Sequence, residues 1–257
     1  MKHLFLLFPT LLLMVNCNDT AKKNSKVEII NSTIDTVKTV KIPELNITKN
    51  FVLGKFNYKT DATFVKASAK HSAKQLYLKK EAYTAFVELY NAAKTDGIDL
   101  KIISGTRNFN EQKAIWERKW ERYKTLKPIE RAKKILEYSS MPSTSRHHWG
   151  TDLDLNNLNN SYFNNGKGEK EYNWLVTNAN AFGFYQVYTT KGVNRTGYNL
   201  EKWHWSYLPL ASQYLAFYNS KISTDAITDF KGSELAKELK IITNYVNGIA
   251  KNAKDFN

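Results

Sequence analysis

Between Lys79 and Ile103 the spacing of apolar residues changes period, and that change commits the chain to a mixture of helix and sheet. From Lys79 to Lys94, Ala82, Ala85, Phe86, Leu89 and Ala93 recur three and four residues apart. This spacing aligns them along one stripe of an amphipathic helix. Thr95-Asp96-Gly97 follows, and Gly97 suits the left-handed residue that closes a helix. Ile98, Leu100 and Ile102 then alternate with Asp99 and Lys101, which is the period of a strand.

The same signals recur downstream. Asn108 followed by Glu111 resembles a capping box and opens a second helix near Phe109. Its charged continuation runs to about Tyr138, in two pieces broken at Pro128. Short strands are expected over Thr151 to Leu155, Phe182 to Thr189 and Trp203 to Tyr207, with a helix from about Pro209 to Tyr218. Beyond Ser223, Leu235, Leu239, Ile242, Val246 and Ile249 are spaced by four, three, four and three. That pattern predicts a terminal amphipathic helix. It lasts only about two heptads, which favours docking on the domain over a dimer zipper. The sum is an α+β fold, a small and mostly antiparallel sheet with helices packed around it.

Chemistry concentrates in two segments. Ser145-Arg146-His147-His148-Trp149-Gly150-Thr151-Asp152-Leu153-Asp154 and Glu201-Lys202-Trp203-His204-Trp205 hold three of the five histidines. Imidazole with carboxylate is the donor set of a catalytic zinc site, which uses three protein ligands and leaves a fourth position for water. An odd separation puts His147 and Asp154 on opposite faces of a straight strand. Gly150 permits a bend that brings His147 back over the face of Asp154. Glu201 lies near His204 in sequence. A carboxylate beside a zinc ion but not bound to it can take the proton of zinc-bound water, whose pKa falls from about 15.7 towards 7. His148 is expected to point away from the cluster, in a packing or surface role. Asp152 shares the face of Asp154 and is left as either a supporting partner or a competing ligand. Arg107, just past a strand end, can present its guanidinium fork to a carboxylate. The alternative is a surface ion pair with Glu111 or another acid.

These residues fall in patterns. Ser145, His147, Gly150 and Asp154 match S-x-H-x-x-G-x-x-x-D, and Glu201-Lys202-Trp203-His204 matches E-x-W-H. Ser104-Gly105-Thr106-Arg107, with Gln112 five residues after Arg107, matches S-G-x-R…Q. In all three the chain resembles the VanY-type D-alanyl-D-alanine carboxypeptidases, over roughly residues 50 to 218. The resemblance implies the compact α+β fold shared with the hedgehog signalling domain, and one zinc ion per chain. It implies His147, Asp154 and His204 as ligands and Glu201 as catalytic base. Arg107, Gln112, Ser145 and Tyr188 would bind substrate, a peptidoglycan stem peptide that loses its terminal D-alanine by D,D- or L,D-cleavage. The sequence departs from the pattern at Asp152, where alanine is usual, and at Ser206, where arginine is usual. The stretch from Lys113 to Thr144 is long for the family and would wall the cleft. Two other readings within the resemblance are a cross-link endopeptidase and a zinc-containing wall-binding module without activity. Retention of Glu201 speaks against the second. An envelope adaptor leaves the three motifs unexplained.

The amino-terminal region reads as export machinery. Leu4 to Val15 is an apolar run after a short positive start, the length of a signal-peptide core and too short to span a membrane. It ends at Cys17, the only cysteine. Leu13-Met14-Val15-Asn16-Cys17 resembles a lipobox, with Asn16 where a smaller residue is usual. The alternative is a buried free cysteine. Residues 18–48 are polar and read as a flexible tether. The expected organisation is a lipoprotein signal peptide over 1–17, the tether, a zinc carboxypeptidase domain over 49–222 and a helical extension over 223–257. The formal charge of +14 becomes +13 once Lys2 is removed. That excess suits wall carboxylates or an acidic membrane surface, and also simple solubility. An export signal disfavours nucleic acid. The expectation is a monomeric, exported bacterial lipoprotein, anchored by lipid in the periplasmic or extracytoplasmic envelope.

Overall fold

The computed structural model describes residues 46–192 and 195–256. The signal segment, Cys17 and nearly all of the tether lie outside the described residues. Helix α1 (Lys49–Val52) leads to a hairpin of β1 (Phe64–Lys66) and β2 (Tyr77–Lys79), then to α2 (Lys80–Thr95). β3 (Ile102–Ser104), α3 (Phe109–Arg122) and α4 (Pro128–Ile135) follow. A 3-10 turn (Arg146–Trp149), β4 (Asp152–Leu155), α5 (Gly166–Asn178), β5 (Phe184–Gln186), β6 (His204–Tyr207) and α6 (Leu208–Lys221) come next. The four strands β3-β4-β6-β5 form one antiparallel sheet in that order.

Strand alternation sorts this sheet into two chemical faces. Leu153 pairs with Trp205 on one face, and both join the core cluster that includes Phe86 and Leu89 of α2. On the other face, Asp152 pairs with Ser206 and Asp154 with His204, while Ser104 lies across from Asp154. The sheet therefore carries a row of polar side chains at its centre, and all of Asp152, Asp154, His204 and Ser206 are buried.

The predicted caps and breaks stand where the residues put them. Asn108 and Glu111 make the reciprocal capping box that starts α3. Pro128 opens α4 at a position whose N–H has no partner to lose. Gly97 has a φ of +73°.

Two expectations need correction. The strand predicted over Ile98–Ile103 is confined to Ile102–Ser104. The Lys101 N–H instead donates to the Asn156 side chain, whose amide donates back to the Asp99 carbonyl. The second concerns the terminal amphipathic helix, which is replaced by 3-10 turns at Thr224–Ala226 and Ser233–Ala236, a π turn at Ile242–Val246 and a short helix, α7 (Lys251–Lys254). Lys240 sits at a φ of +48°, which interrupts any continuous right-handed helix through the apolar stripe. Leu239, Val246 and Ile249 are nonetheless buried in the larger core cluster. Their spacing recorded docking on the domain rather than helix.

Candidate metal centre

His147 stands in the 3-10 turn, not on a strand. Gly150 ends that turn at a φ of +73°, reversing the chain into β4. A Cβ at Gly150 would lie 2.3 Å from the Phe64 ring, so the bend that brings His147 over Asp154 requires glycine twice over. Glu201 and His204 are joined by a turn in which the His204 N–H donates to the Glu201 carbonyl. The Glu201 N–H is held by the Tyr188 carbonyl at 2.9 Å.

The ligand candidates converge. His147 Nε2 is 3.5 Å from Asp154 Oδ1, and His204 Nδ1 is 3.1 Å from the same oxygen. The other ring nitrogens face pure acceptors: His147 Nδ1 lies 2.9 Å from the Gly105 carbonyl, and His204 Nε2 lies 3.0 Å from Asp152 Oδ1. Each of those nitrogens must carry the hydrogen, so in the neutral rings His147 Nε2 and His204 Nδ1 turn lone pairs towards Asp154. Three buried lone pairs facing one another repel unless a cation lies among them. Zinc bonds of about 2.0–2.1 Å in a tetrahedron put ligand atoms about 3.3 Å apart, close to the two spacings found. His147, Asp154 and His204 are the one cluster among the described residues that groups three such donors this tightly. The residues present fit zinc.

The protonation pattern agrees. Burial opposes a charged His204 ring, but Asp152 and Asp154 raise its pKa to about 9. Burial likewise works against an ionised Asp154, and His147 and His204 hold it well below the usual carboxylate range. Glu201 behaves oppositely. Burial, reinforced by Asp154, lifts its carboxyl to about 8 against the pull of His204, Arg107 and Lys119. Its Oε2 is 3.6 Å from His204 Nδ1, and its carboxylate accepts no hydrogen bond from a described residue. A cation among the three ligands would offset that rise, leaving a buried, uncommitted carboxylate that can take a proton.

A cleft of about 590 Å³ opens over this floor, and the predicted substrate residues line it. Arg107 Nη1 donates to Ser104 Oγ, its Nε is buried without a partner, and it makes no ion pair with a described residue. The alternative pairing with Glu111 fails because that carboxylate is taken by Tyr58 and by its capping bond. Gln112 donates to the Ser140 carbonyl and leaves Oε1 unpartnered, and Ser145 Oγ is also unpartnered. Tyr188 packs against His204 with ring centroids 4.6 Å apart. The 113–144 stretch does wall the cleft, through Ile115, Arg118, Lys119, Tyr138, Ser139 and Ser140. Sequence reasoning did not single out Arg118 and Lys119, and neither has a carboxylate within 4.0 Å among the described residues. Lys119 is visible only once α3 is turned with Trp116 and Trp120 inward.

His148 takes the packing role of the two expected for it. It is fully buried, its Nδ1 lies 2.7 Å from the Arg107 carbonyl, and its Nε2 accepts the Ser143 N–H at 3.1 Å. It thereby holds the backbone of Arg107 and the turn before Ser145. Burial pushes its pKa down to about 3, against about 6.5 when unfolded. Between those values the unfolded chain binds a proton that the folded chain refuses. Stability is therefore lost as pH falls below 6.5, at up to about 1.4 kcal/mol per pH unit. Urea unfolding at pH 7.5 and pH 5 should show a smaller loss for His148→Gln than for wild type. Parallel losses would mean that His148 is not the titrating group.

Asp154 and His204 on the polar face of the sheet, His147 on the turn before it, and a free carboxylate beside them under a cleft define an α+β protein built around a candidate metal centre. The VanY family, D-alanyl-D-alanine carboxypeptidase, matches residues 75–210, over half of the 257, and the chain belongs to that family. It is 28% identical over 182 residues to the putative carboxypeptidase YodJ of Bacillus subtilis, covering 68% of this chain and 64% of that protein. It is 31% identical over 124 residues to a D-alanyl-D-alanine carboxypeptidase of Enterococcus faecalis, covering 47% and 44%. The chain thus spans less than two thirds of the length of these curated relatives. Its fold is similar to that of VanYB in complex with D-alanine-D-alanine, with a TM-score of 0.50, 22% identity, and coverage of 65% of this chain and 93% of that one.

Proposed function

We propose that the chain is a zinc-dependent carboxypeptidase that removes the terminal D-alanine from peptidoglycan stem peptides. The observation that carries this reading is the convergence of His147 Nε2 and His204 Nδ1 on Asp154 Oδ1, at 3.5 and 3.1 Å, beside the uncommitted Glu201 carboxylate. Membership of the VanY family and the names of its relatives support the substrate class. Zinc held by His147, Asp154 and His204 would polarise the scissile carbonyl and acidify water.

The chain's own residues supply the rest. Arg107, unpaired at the cleft wall, binds the substrate's terminal carboxylate in a charge-assisted fork. The free Gln112 Oε1 and Ser145 Oγ are placed to hold the peptide's polar groups. Glu201 accepts the proton of the attacking water and hands it to the leaving amine. Arg118 and Lys119 keep the wall of the cleft positive, which suits a peptide of carboxylates.

The carboxypeptidase reading, as opposed to an endopeptidase, depends on recognition of a free terminus. A hydrogen bond to a charged group is worth about 1.5–3 kcal/mol. Arg107→Ala should therefore raise KM roughly 10–100-fold with less effect on kcat. Amidating the peptide's C-terminus should cost wild type a similar factor and cost Arg107→Ala little. Equal cleavage of acid and amide by wild type would point to an endopeptidase.

The chain is further proposed to be an exported lipoprotein attached through Cys17, on the strength of the apolar run and the lipobox-like residues before it. Stable anchoring takes more than one acyl chain. Wild type should partition into detergent and incorporate labelled fatty acid, and Cys17→Ser should do neither. Equal labelling of the two would remove the anchor.

A further inference from the structure

Asp152 and Ser206 meet in one buried network behind the cluster. Asp152 Oδ1 accepts from Arg146 Nε at 2.9 Å and lies 3.0 Å from His204 Nε2. Its Oδ2 accepts from Thr151 Oγ1 at 2.7 Å and from Ser206 Oγ at 3.0 Å. Ser206 Oγ in turn accepts from Arg146 Nη2 at 2.6 Å. Arg146, Thr151, Asp152, His204 and Ser206 are all 3% exposed or less.

We propose that Arg146 and Asp152 form a buried charged relay that fixes the ring of His204, making both of them positioning residues of the metal centre. The proposal rests on the zinc reading of that centre. Both oxygens of Asp152 are already committed, and its contact with His204 is through the nitrogen on the far side of the ring from Asp154. Asp152 is therefore not a competing ligand. A carboxylate can only accept from the imidazole, so it holds the hydrogen on Nε2 and leaves Nδ1 for the metal.

Strand register makes this arrangement possible. Asp152 and Asp154 stand two residues apart on one face of β4, and His204 on β6 is opposite Asp154, so its ring spans the two carboxylates. The two histidines are backed differently. His147 leans on the neutral Gly105 carbonyl, whereas His204 leans on a full negative charge, which makes it the more basic ligand.

A buried anion so close to a metal site needs a counter-charge. Arg146 provides it from the residue next to His147, and its guanidinium also lies 4.8 Å from the Trp149 ring. Ser206 is small, and the Arg146 guanidinium reaches its hydroxyl. The acid at 152 and the small residue at 206 are thus parts of one construction.

The test is zinc affinity, measured on the full chain by competition with a chromophoric chelator, with thermal melting recorded for each variant. Asp152→Asn keeps the volume and removes the charge. It should bind zinc about 10–100-fold more weakly than wild type, the range for partners that orient a metal ligand. A merely structural role would lower the melting temperature of the zinc-free protein and leave zinc affinity unchanged, and that result overturns the relay. Should Asp152→Asn fail to fold, Ser206→Ala carries the test. It removes one bond to each of Arg146 and Asp152 and should weaken zinc binding several-fold, and wild-type affinity there overturns the relay. A wild-type chain that binds no zinc overturns the metal centre and the relay together.

Discussion

Glu201→Gln should abolish most turnover on stem peptides while leaving zinc content and melting temperature near wild type. Glutamine keeps the shape and volume of the side chain but cannot take a proton. General acid–base groups contribute about 10²–10⁴-fold in rate, and kcat should fall by at least the lower figure. KM should change little, because Glu201 makes no hydrogen bond that would be lost from the floor of the cleft. The fold should tolerate the change well: burial already pushes this carboxyl up to about 8, so a neutral group here relieves desolvation. If Glu201→Gln keeps near wild-type turnover, the proton is moved by another residue and the proposed mechanism falls. A wild-type domain that binds zinc and wall peptides but cleaves none would instead favour the binding-module reading.

The second large effect is loss of metal. Partners that merely orient a ligand cost about 10–100-fold in affinity, so deleting a ligand should cost more than that. His147→Ala, Asp154→Ala and His204→Ala should each fail to retain stoichiometric zinc through dialysis. The three should differ in stability without metal. His204→Ala leaves the buried carboxylates of Asp152 and Asp154 facing each other without the ring that both contact, so it should melt lowest. His147→Ala removes a ring that burial and Arg107 keep neutral, and should be the mildest. Full zinc content in all three would place the ligands elsewhere.

How much of this was legible depends on what each signal records. Local signals transferred well. Asn108 and Glu111 specify a cap through bonds made within four residues. The stripe from Ala82 to Ala93 specifies which side of α2 is buried. Gly150 announced a bend, and its φ of +73° supplies it. The candidate ligands were legible because histidine is scarce, five in the whole chain, and because their pattern resembles a known family.

Signals that depend on distant partners did not transfer. Nothing near Lys101 says that its N–H will be claimed by Asn156, a side chain from the far end of β4. The stripe from Leu235 to Ile249 is equally compatible with a helix and with short turns docked on the same core, and Lys240 decides between them. Asp152 could be assigned to the face of Asp154, but which oxygen meets which nitrogen of His204 appears only when β4 and β6 are in register. Lys119 was hidden in a charged helix for the same reason.

The proposed role of the site is to hold a zinc ion at His147, Asp154 and His204, with which Glu201 hydrolyses a terminal peptide bond. Its most direct test is mass spectrometry of defined stem peptides ending in D-alanine, incubated with the zinc-loaded chain, with the chelated chain, and with the chelated chain after zinc is restored. The zinc-loaded chain should release D-alanine from the C-terminus, chelation should stop the release, and restored zinc should bring it back. Peptides recovered intact from the zinc-loaded chain, or cleaved equally after chelation, would contradict that role.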